Sequence, residues 1–252
     1  MKNPFRLSQE FVSTVDQWSG VVGAPEPQNR KKLRIDMFEN RFVERYLSQA
    51  HPAFPGLWTF PFAAYALHRA LAVDGLTLGT TATLFALGVL GWSLFEYNAH
   101  RFIFHFRPGT NRPLRYITFL FHGYHHEFPQ DPMRLVAPPL LAAWALSVFT
   151  VVYASLTGWA YTWPLLAGTV IGYLAYDWVH YYTHHFHPRR GIGATLRRLH
   201  FIHHYNNPDA NHGISSPVWD LIFGTFQAHR SGPIGVQHEQ HEQQDRDTSL
   251  AS

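Results

Sequence analysis

Two stretches decide the fold of this 252-residue chain: Asp177-Trp-Val-His180-Tyr-Tyr-Thr-His184 and, shortly after it, His200-Phe-Ile-His203-His204. In an α-helix, residues three or four apart lie on one face, so each stretch is expected to point its imidazoles to one side. Imidazole is a good ligand for iron, copper, nickel and zinc, whereas magnesium and calcium prefer oxygen ligands. Metal binding is therefore the first interpretation of both stretches.

Two further clusters precede them, His122-Gly-Tyr-His125-His126 and the wider His100-Arg-Phe-Ile-Phe-His105. A single pair would be weak evidence, because one histidine on an apolar face is commonly a buried, hydrogen-bonded residue. Burying four clusters without a shared partner would carry a large desolvation cost. Two metal ions with about five nitrogens each would use them all. The candidate ligands are His100, His105, His122, His125, His126, His180, His184, His200, His203 and His204.

Composition excludes several classes of protein. The chain has no cysteine, so disulfides, thiolate metal sites and iron-sulfur clusters are ruled out. The net charge of +3 is modest. Nucleic-acid binding has little support, because the basic residues follow a membrane-facing distribution.

Four uncharged or nearly uncharged apolar segments indicate an all-α integral membrane protein. They cover residues 57–73, 76–95, 140–156 and 159–178, each close to the length that crosses the hydrocarbon core of a bilayer. The breaks at 74–75 and 157–158 are short, so four transmembrane helices are expected as two hairpins. The alternative is a soluble bundle with unusually apolar helices.

Basic residues predict the orientation. Of the 20 Lys and Arg residues, eight precede residue 57, five lie between 95 and 140, and six follow 178, while Arg69 alone lies inside a span. Positive charge collects on the cytoplasmic side of membranes. The histidine clusters share that side, at or beyond the ends of the second and fourth spans, and a cytosolic helical cap is expected to hold them.

Other residues near the clusters are candidates for supporting roles. Asp177, Glu96 and Glu127 could orient the imidazole rings, or each could be a solvated surface charge. A second set is expected to line a substrate: Tyr124, Arg134, Tyr181 and Tyr182.

The ordered series of motifs resembles the fatty acid hydroxylase superfamily of membrane-bound non-haem iron enzymes, which also includes sterol desaturases. It is most similar to the fatty acid 2-hydroxylases. Besides the histidine clusters, the resemblance includes Arg134-Leu-Val-x-Pro-Pro139, Gly172-Tyr-x-x-Tyr-Asp177, Gly213-Ile-Ser-Ser and Trp219-Asp. It implies that the ten histidines bind two iron ions, with zinc possible in purified protein, and that O₂ and a lipid acyl chain are the substrates.

Two departures from the family pattern affect what is expected. A His-Pro-Gly-Gly haem motif is missing, since His51-Pro52 is followed by Ala53-Phe54. A separate electron donor, cytochrome b5-like or a ferredoxin with its reductase, is therefore expected, and a bacterial cytoplasmic membrane is favoured over endoplasmic reticulum. His212 stands where the family more often has an aromatic residue. No role is assigned to His185, His187 or His212.

Four regions are expected along the chain. Residues 1–30 are predicted to be a flexible arm, 31–56 a basic amphipathic helix at the membrane interface, 57–228 the membrane hydroxylase domain and 229–252 a disordered tail. The second region could instead pack on the protein's own soluble part.

Three rival functions remain open. One is a different lipid oxidation by the same centre, such as sterol desaturation or hydroxylation at another carbon. Another is a zinc-binding membrane protein without redox chemistry. Metal transport is disfavoured, because it predicts polar ligands near the bilayer midplane.

Overall fold

The computed structural model describes residues 3–23 and 33–229, and its regular elements in these ranges are helical. The helices are α1 Gln9–Gln17, α2 Arg41–Leu47, α3 Phe54–His68, α4 Leu78–Asn98, α5 Arg112–Thr118, α6 Tyr124–Glu127, α7 Pro139–Thr157, α8 Trp159–His185, α9 Gly191–Tyr205 and α10 Val218–Phe223. Three π-helical turns continue α3, α4 and α5, at Arg69–Val73, Ala99–Phe104 and Phe119–Gly123. The all-α prediction is confirmed for the described residues.

Helix α8 is the centre of the apolar part, where it contacts α3, α4 and α7. Its contact with α4 is a backbone contact made possible by two glycines. A Cβ at Gly88 would overlap the carbonyl of Leu165, and a Cβ at Gly168 would overlap the carbonyl of Phe85. The two helices therefore approach more closely than side chains would allow, and this contact fixes α8 against α4.

Two helices are long and apolar enough to cross a membrane, Leu78–Phe104 and Leu140–Thr157. Only 11% of the most apolar stretch of the first helix and 6% of that of the second are buried in the protein. The core helix of a soluble protein would be mostly buried. Helices α3 and α8 overlap the other two predicted spans but are not among the helices that are long and apolar enough to cross a membrane. The four-span arrangement therefore stays a prediction.

The described part of the N-terminal region differs from the expected flexible arm. Ser8 caps α1 by accepting a hydrogen bond from the Phe11 amide. Phe11, Val15 and Trp18 lie on one helix face and are buried in a cluster with Phe119. This apolar face, at spacings of four and three, is the physical reason for the difference. Residues 1–2 and 24–30 lie outside the described part.

The predicted interfacial helix is shorter than expected. Asn40 accepts hydrogen bonds from the amides of Phe42 and Val43, so α2 begins only at Arg41. Before it, Ile35 is buried in the α1 cluster, while Phe42 and Tyr46 are exposed. Residues 31–32 lie outside the described part, as does the predicted tail from 230 onward, and the interfacial location stays a prediction.

We expect Gly168→Ala to destabilise the fold by about 1–3 kcal/mol, because the added methyl group overpacks a backbone contact. Thermal unfolding in detergent, followed by the amount of monodisperse protein, measures the loss. Gly79→Ala is the matched control on α4, since its Cβ would meet only Thr77 Oγ1 at 3.9 Å. Equal melting temperatures for the two variants would contradict the proposed contact.

Candidate metal centre

Four segments bring histidines to one place in the cap. His100 lies in the π-turn after α4 and His105 follows it, while His122 lies in the π-turn before α6. Helix α6 carries His125 and His126. Helix α8 carries His180 and His184 in its last two turns, and α9 carries His200, His203 and His204. All ten candidate ligands predicted from sequence therefore converge.

The ten histidines form two groups of five, in each of which the potential ligand atoms lie within 4.8 Å of one another. Group one contains His100, His105, His122, His126 and His203, and group two contains His125, His180, His184, His200 and His204. The groups are adjacent, since the rings of His126 and His204 stack with centroids 4.0 Å apart. The adjacent residues His125 and His126 therefore belong to different groups, as do His203 and His204. The sequence instead predicts that the histidines of each cluster point to one side.

The π-turns explain why histidines five apart share group one. In an α-helix His100 and His105 would be about 140° apart around the axis. In the π-turn the His105 amide donates to the His100 carbonyl over 3.2 Å, the five-residue spacing of this helix type. His122 lies in the π-turn Phe119–Gly123, which is followed directly by α6.

Hydrogen bonds fix the tautomers of two rings. His100 Nδ1 is 2.6 Å from the His212 carbonyl, and His203 Nδ1 is 2.7 Å from the Ala210 carbonyl. A carbonyl only accepts, so both Nδ1 atoms carry the proton and both Nε2 atoms carry a lone pair. An outer hydrogen bond of this kind is typical of histidines that bind metal.

The Nε2 atoms of group two converge in the same manner. His125 Nε2 is 2.9 Å from Nε2 of both His180 and His204, and His184 Nε2 is 2.8 Å from His200 Nε2. Nitrogens bound at about 2.1 Å to one ion, at right angles, are about 3 Å apart. In group one, Nε2 of His203 is buried without a hydrogen-bond partner among the described residues. Both groups fit a metal ion of imidazole preference.

Burial keeps these imidazoles neutral. Desolvation lowers the pKa of His184 to about 3, with smaller contributions from His185 and Arg197. Desolvation also holds the pKa of His125, His200 and His204 well below its ordinary value, aided by repulsion from neighbouring histidines. A neutral imidazole is the form that binds metal.

Glu96 fixes the loop that orients His100. Its Oε1 accepts from the amides of Ile214 and Ser215 at 2.8 and 2.9 Å, and Oε2 accepts from Ser215 Oγ at 2.6 Å. His212, two residues before Ile214 in this loop, supplies the carbonyl that is hydrogen-bonded to His100. Glu96, an acid predicted to orient the rings, therefore contacts the loop and acts through it.

A second buried carboxylate holds the same loop. Asp220 accepts from the amides of His212 and Gly213, both at 2.8 Å. Sequence reasoning did not single out Asp220, and the Trp219-Asp motif was the only signal that could have done so. The His212 ring is buried with its centroid 5.5 Å from those of His100 and His105, beside group one, where sequence alone could not place it.

The other two predicted acids occupy different positions. Asp177 is buried one turn before His180, against Tyr173 and the backbone of Ala137. Glu127 is half-buried at the end of α6, next in the chain to His126. Their role in orienting the rings stays a prediction.

The residues expected to line the substrate fall into two pairs. The Arg134 guanidinium donates a hydrogen bond to Tyr124 Oη over 2.7 Å, and both side chains contact Asp131. An ion pair between Arg134 and Glu44 completes this buried network. This network attaches the N-terminal segment to the cap.

The second pair lies on the last turns of α8. The ring of Tyr181 is 4.4 Å from that of His185, and the ring of Tyr182 stacks on Phe186. His187 is exposed. The substrate-lining role of all four residues stays a prediction.

Comparison with known proteins agrees with this site. The fatty acid hydroxylase family profile matches residues 85–225, the part that carries all ten histidines. The chain therefore belongs to the fatty acid hydroxylase family, as the motif resemblance predicted, and is an oxidoreductase.

Individual relatives extend the match beyond this region. The chain is 37% identical to the dihydroceramide fatty acyl 2-hydroxylase FAH2 of Arabidopsis thaliana over 189 residues, which cover 75% of this chain and 78% of that protein. It is 31% identical to the fatty acid 2-hydroxylase of Rattus norvegicus, where the match covers 79% of this chain and 58% of the relative.

A solved structure has the same fold. The hydroxylase domain of full-length scs7p superposes with a TM-score of 0.70 at 30% identity, covering 76% of this chain and 72% of that one. These relatives support association with a membrane. The plant and animal origin of the two hydroxylases points away from the bacterial location expected from sequence.

The metal-free protein should lose stability as the pH falls below about 6.5. The unfolded chain then binds protons that the folded histidines exclude, at up to about 1.4 kcal/mol per pH unit for each histidine. Denaturant unfolding between about pH 7.5 and pH 5 measures the slope. His184→Gln should lower this slope by the contribution of about one proton, because His184 in the folded protein stays neutral down to about pH 3.

The exposed His187 supplies the control for this experiment. His187→Gln should leave the pH dependence attributable to the two groups intact. A stability that does not change between pH 7.5 and pH 5 would contradict the burial of neutral imidazoles.

Proposed function

We propose that this protein is a membrane-embedded lipid hydroxylase that inserts a hydroxyl group at C2 of a fatty acyl chain, using two iron ions held by the ten histidines. The observation that carries the proposal is the convergence of those histidines into two adjacent groups of five, in a member of the fatty acid hydroxylase family. The 2-hydroxylase names of the relatives support C2 as the position.

The overall reaction consumes one O₂, two electrons and two protons, and yields a C–OH bond and one water. Iron ions bound by the two groups would supply the reduction and activation of O₂. The chain's own contribution is to fix the imidazoles as neutral nitrogen donors. The carbonyls of His212 and Ala210 do this for His100 and His203.

The proposed topology has four spans in two hairpins with the cap on the cytoplasmic side. The first hairpin is α3 and α4, and the second is α7 and α8. The turns at 74–75 and 157–158 lack Lys and Arg, and apart from Arg69 the basic residues collect beyond the other helix ends. The histidines lie beyond the ends of α4 and within the last turns of α8, so an acyl chain in the bilayer is close to them.

An aromatic wall leads from the membrane helices to the histidines. Trp92 on α4, Phe149 on α7 and Tyr173 and Tyr176 on α8 form neighbouring ring contacts. The Tyr176 ring is 5.8 Å from the ring of His180 in group two. We infer that an acyl chain lies along this wall and that the rings exclude water from the reacting methylene.

His203→Ala should abolish 2-hydroxylation and lower the bound iron, because His203 supplies a buried Nε2 to group one. Mass spectrometry of hydrolysed lipids from expressing cells measures the product, and elemental analysis of purified protein measures the metal. His187→Ala, at an exposed histidine, should retain both. Full activity of His203→Ala would refute the ligand role.

The same product analysis separates the rival reactions. A 2-hydroxy acyl chain supports the proposal, whereas a desaturated lipid or a hydroxyl group at another carbon indicates a different oxidation by the same centre. Protein that contains zinc, and yields no oxidised lipid after reconstitution with iron and a reductant, would favour a non-redox metal site.

Glu96→Ala should accelerate loss of metal from group one while group two keeps its ion. The change leaves the Ile214 and Ser215 amides without their acceptor, at a cost of roughly 1–3 kcal/mol each, and frees the loop that orients His100. Metal release to a chelator should become biphasic, with about half the metal released faster. Glu39→Ala, at an exposed acid, is the control. Unchanged release kinetics would contradict the role of Glu96.

A further inference from the structure

The proposed hydroxylation needs two electrons for every hydroxyl group, and the histidines that would hold the metals are buried. Electron transfer falls off steeply with distance. A carrier must therefore contact the surface where the protein between solvent and histidines is thinnest.

Four arginines lie immediately before α9 or in its middle, and we call the surface that they form the α9 arginine face: Arg189, Arg190, Arg197 and Arg198. Arg189, Arg190 and Arg198 are exposed, and Arg197 is half-buried. Within the described residues none of the four forms an ion pair, whereas Arg107 and Arg112 elsewhere on the cap pair with Asp209 and Asp16. Arg198 donates to the Ala228 carbonyl, a neutral acceptor.

A short chain of side-chain contacts joins this face to group two. The Arg197 guanidinium carbon lies 3.9 Å from the Phe201 ring centroid. The Phe201 ring is 5.9 Å from that of His184, centroid to centroid. His184 Nε2 in turn is 2.8 Å from His200 Nε2. One aromatic side chain therefore separates the surface arginine from a candidate metal ligand.

The face follows the last proposed membrane span in the chain. Helix α8 continues from Trp178, the end of the proposed span, to His185, a rise of about 10 Å. The arginines follow beyond that point, which favours a soluble protein over lipid head groups as the partner. An unpaired basic surface selects and attracts an acidic one.

We propose that the α9 arginine face docks an acidic one-electron carrier protein, whose electrons reach the metal centre through Phe201 and His184. This inference rests on the proposed function. Each docking event oxidises one carrier by one electron, so two events supply one turnover, in which O₂ and two protons are also consumed.

The docking step can be tested by stopped-flow reduction of the full chain, loaded with ferric iron in zwitterionic nanodiscs. The probe is a reduced, soluble, acidic cytochrome b5 fragment, whose oxidation is followed by absorbance. At low salt, the double change Arg197→Glu, Arg198→Glu should slow reduction at least 10-fold. The difference from wild type should shrink at high salt, because screening weakens the attraction.

The control carries the same charge change at a different site. Arg41 and Arg45 are exposed on α2. In the double variant Arg41→Glu, Arg45→Glu, the cytochrome should therefore reduce the iron at the wild-type rate. Equal slowing in both double variants would indicate a general charge effect and overturn the docking face. An unchanged rate in the Arg197, Arg198 variant would overturn it as well, as would a wild type that the cytochrome does not reduce.

The path through the ring has its own test. Phe201→Leu should lower the limiting rate at saturating cytochrome by several-fold, while the cytochrome concentration that gives half that rate stays unchanged. A limiting rate equal to that of wild type would remove Phe201 from the path.

Two further measurements separate the possible failures. Dithionite needs no docking face, so it should reduce wild type and every variant alike. Failure of dithionite to reduce iron-loaded wild type would count against the proposed function itself, and with it the inference. The second measurement repeats the reduction by the cytochrome in anionic nanodiscs. Changing from zwitterionic to anionic nanodiscs should slow wild type no more than it slows the Arg197, Arg198 variant. A selective slowing of wild type would show that lipid head groups occupy the face instead.

Discussion

The structure depends on the convergence of imidazole nitrogens inside a desolvated cap. Burial keeps each ring neutral with a single proton, and the backbone acceptors of His100 and His203 hold that proton on Nδ1, so that the Nε2 lone pairs face inward. Lone pairs about 3 Å apart repel each other unless protons or cations lie between them. Metal binding at such a site would be coupled to folding, because an ion would offset a desolvation cost that the helices alone carry.

Helix α8 couples the cap to the apolar helices. Its middle is fixed to α4 by the backbone contact at Gly88 and Gly168, and its last turns carry His180 and His184. Because α4 itself continues into the π-turn that holds His100, one rigid helix pair determines where both groups begin. Glu96, at the end of α4, extends this control to the loop at Ile214.

The proposed chemistry uses two different approaches to the same centre. The aromatic wall around Trp92 and Tyr176 would guide an acyl chain from the membrane side toward His180. The α9 arginine face would admit electrons from α9, through Phe201 to His184. Substrate and reductant then do not compete for one surface. The physical reason is that α8 and α9 both end in the cap while only α8 extends into the apolar part.

The sequence by itself determined the all-α class, the ten histidines and the family, because local periodicity and motif order are properties of the chain alone. It did not determine how those histidines divide. His203 and His204 are adjacent, yet a rotation of about 100° per residue sends them to different groups. Membership depends on how α9 is oriented against α6 and α8, which only tertiary packing decides. Tertiary packing also decided the burial of Phe11 and Trp18, because they pack against Phe119 from a distant part of the chain.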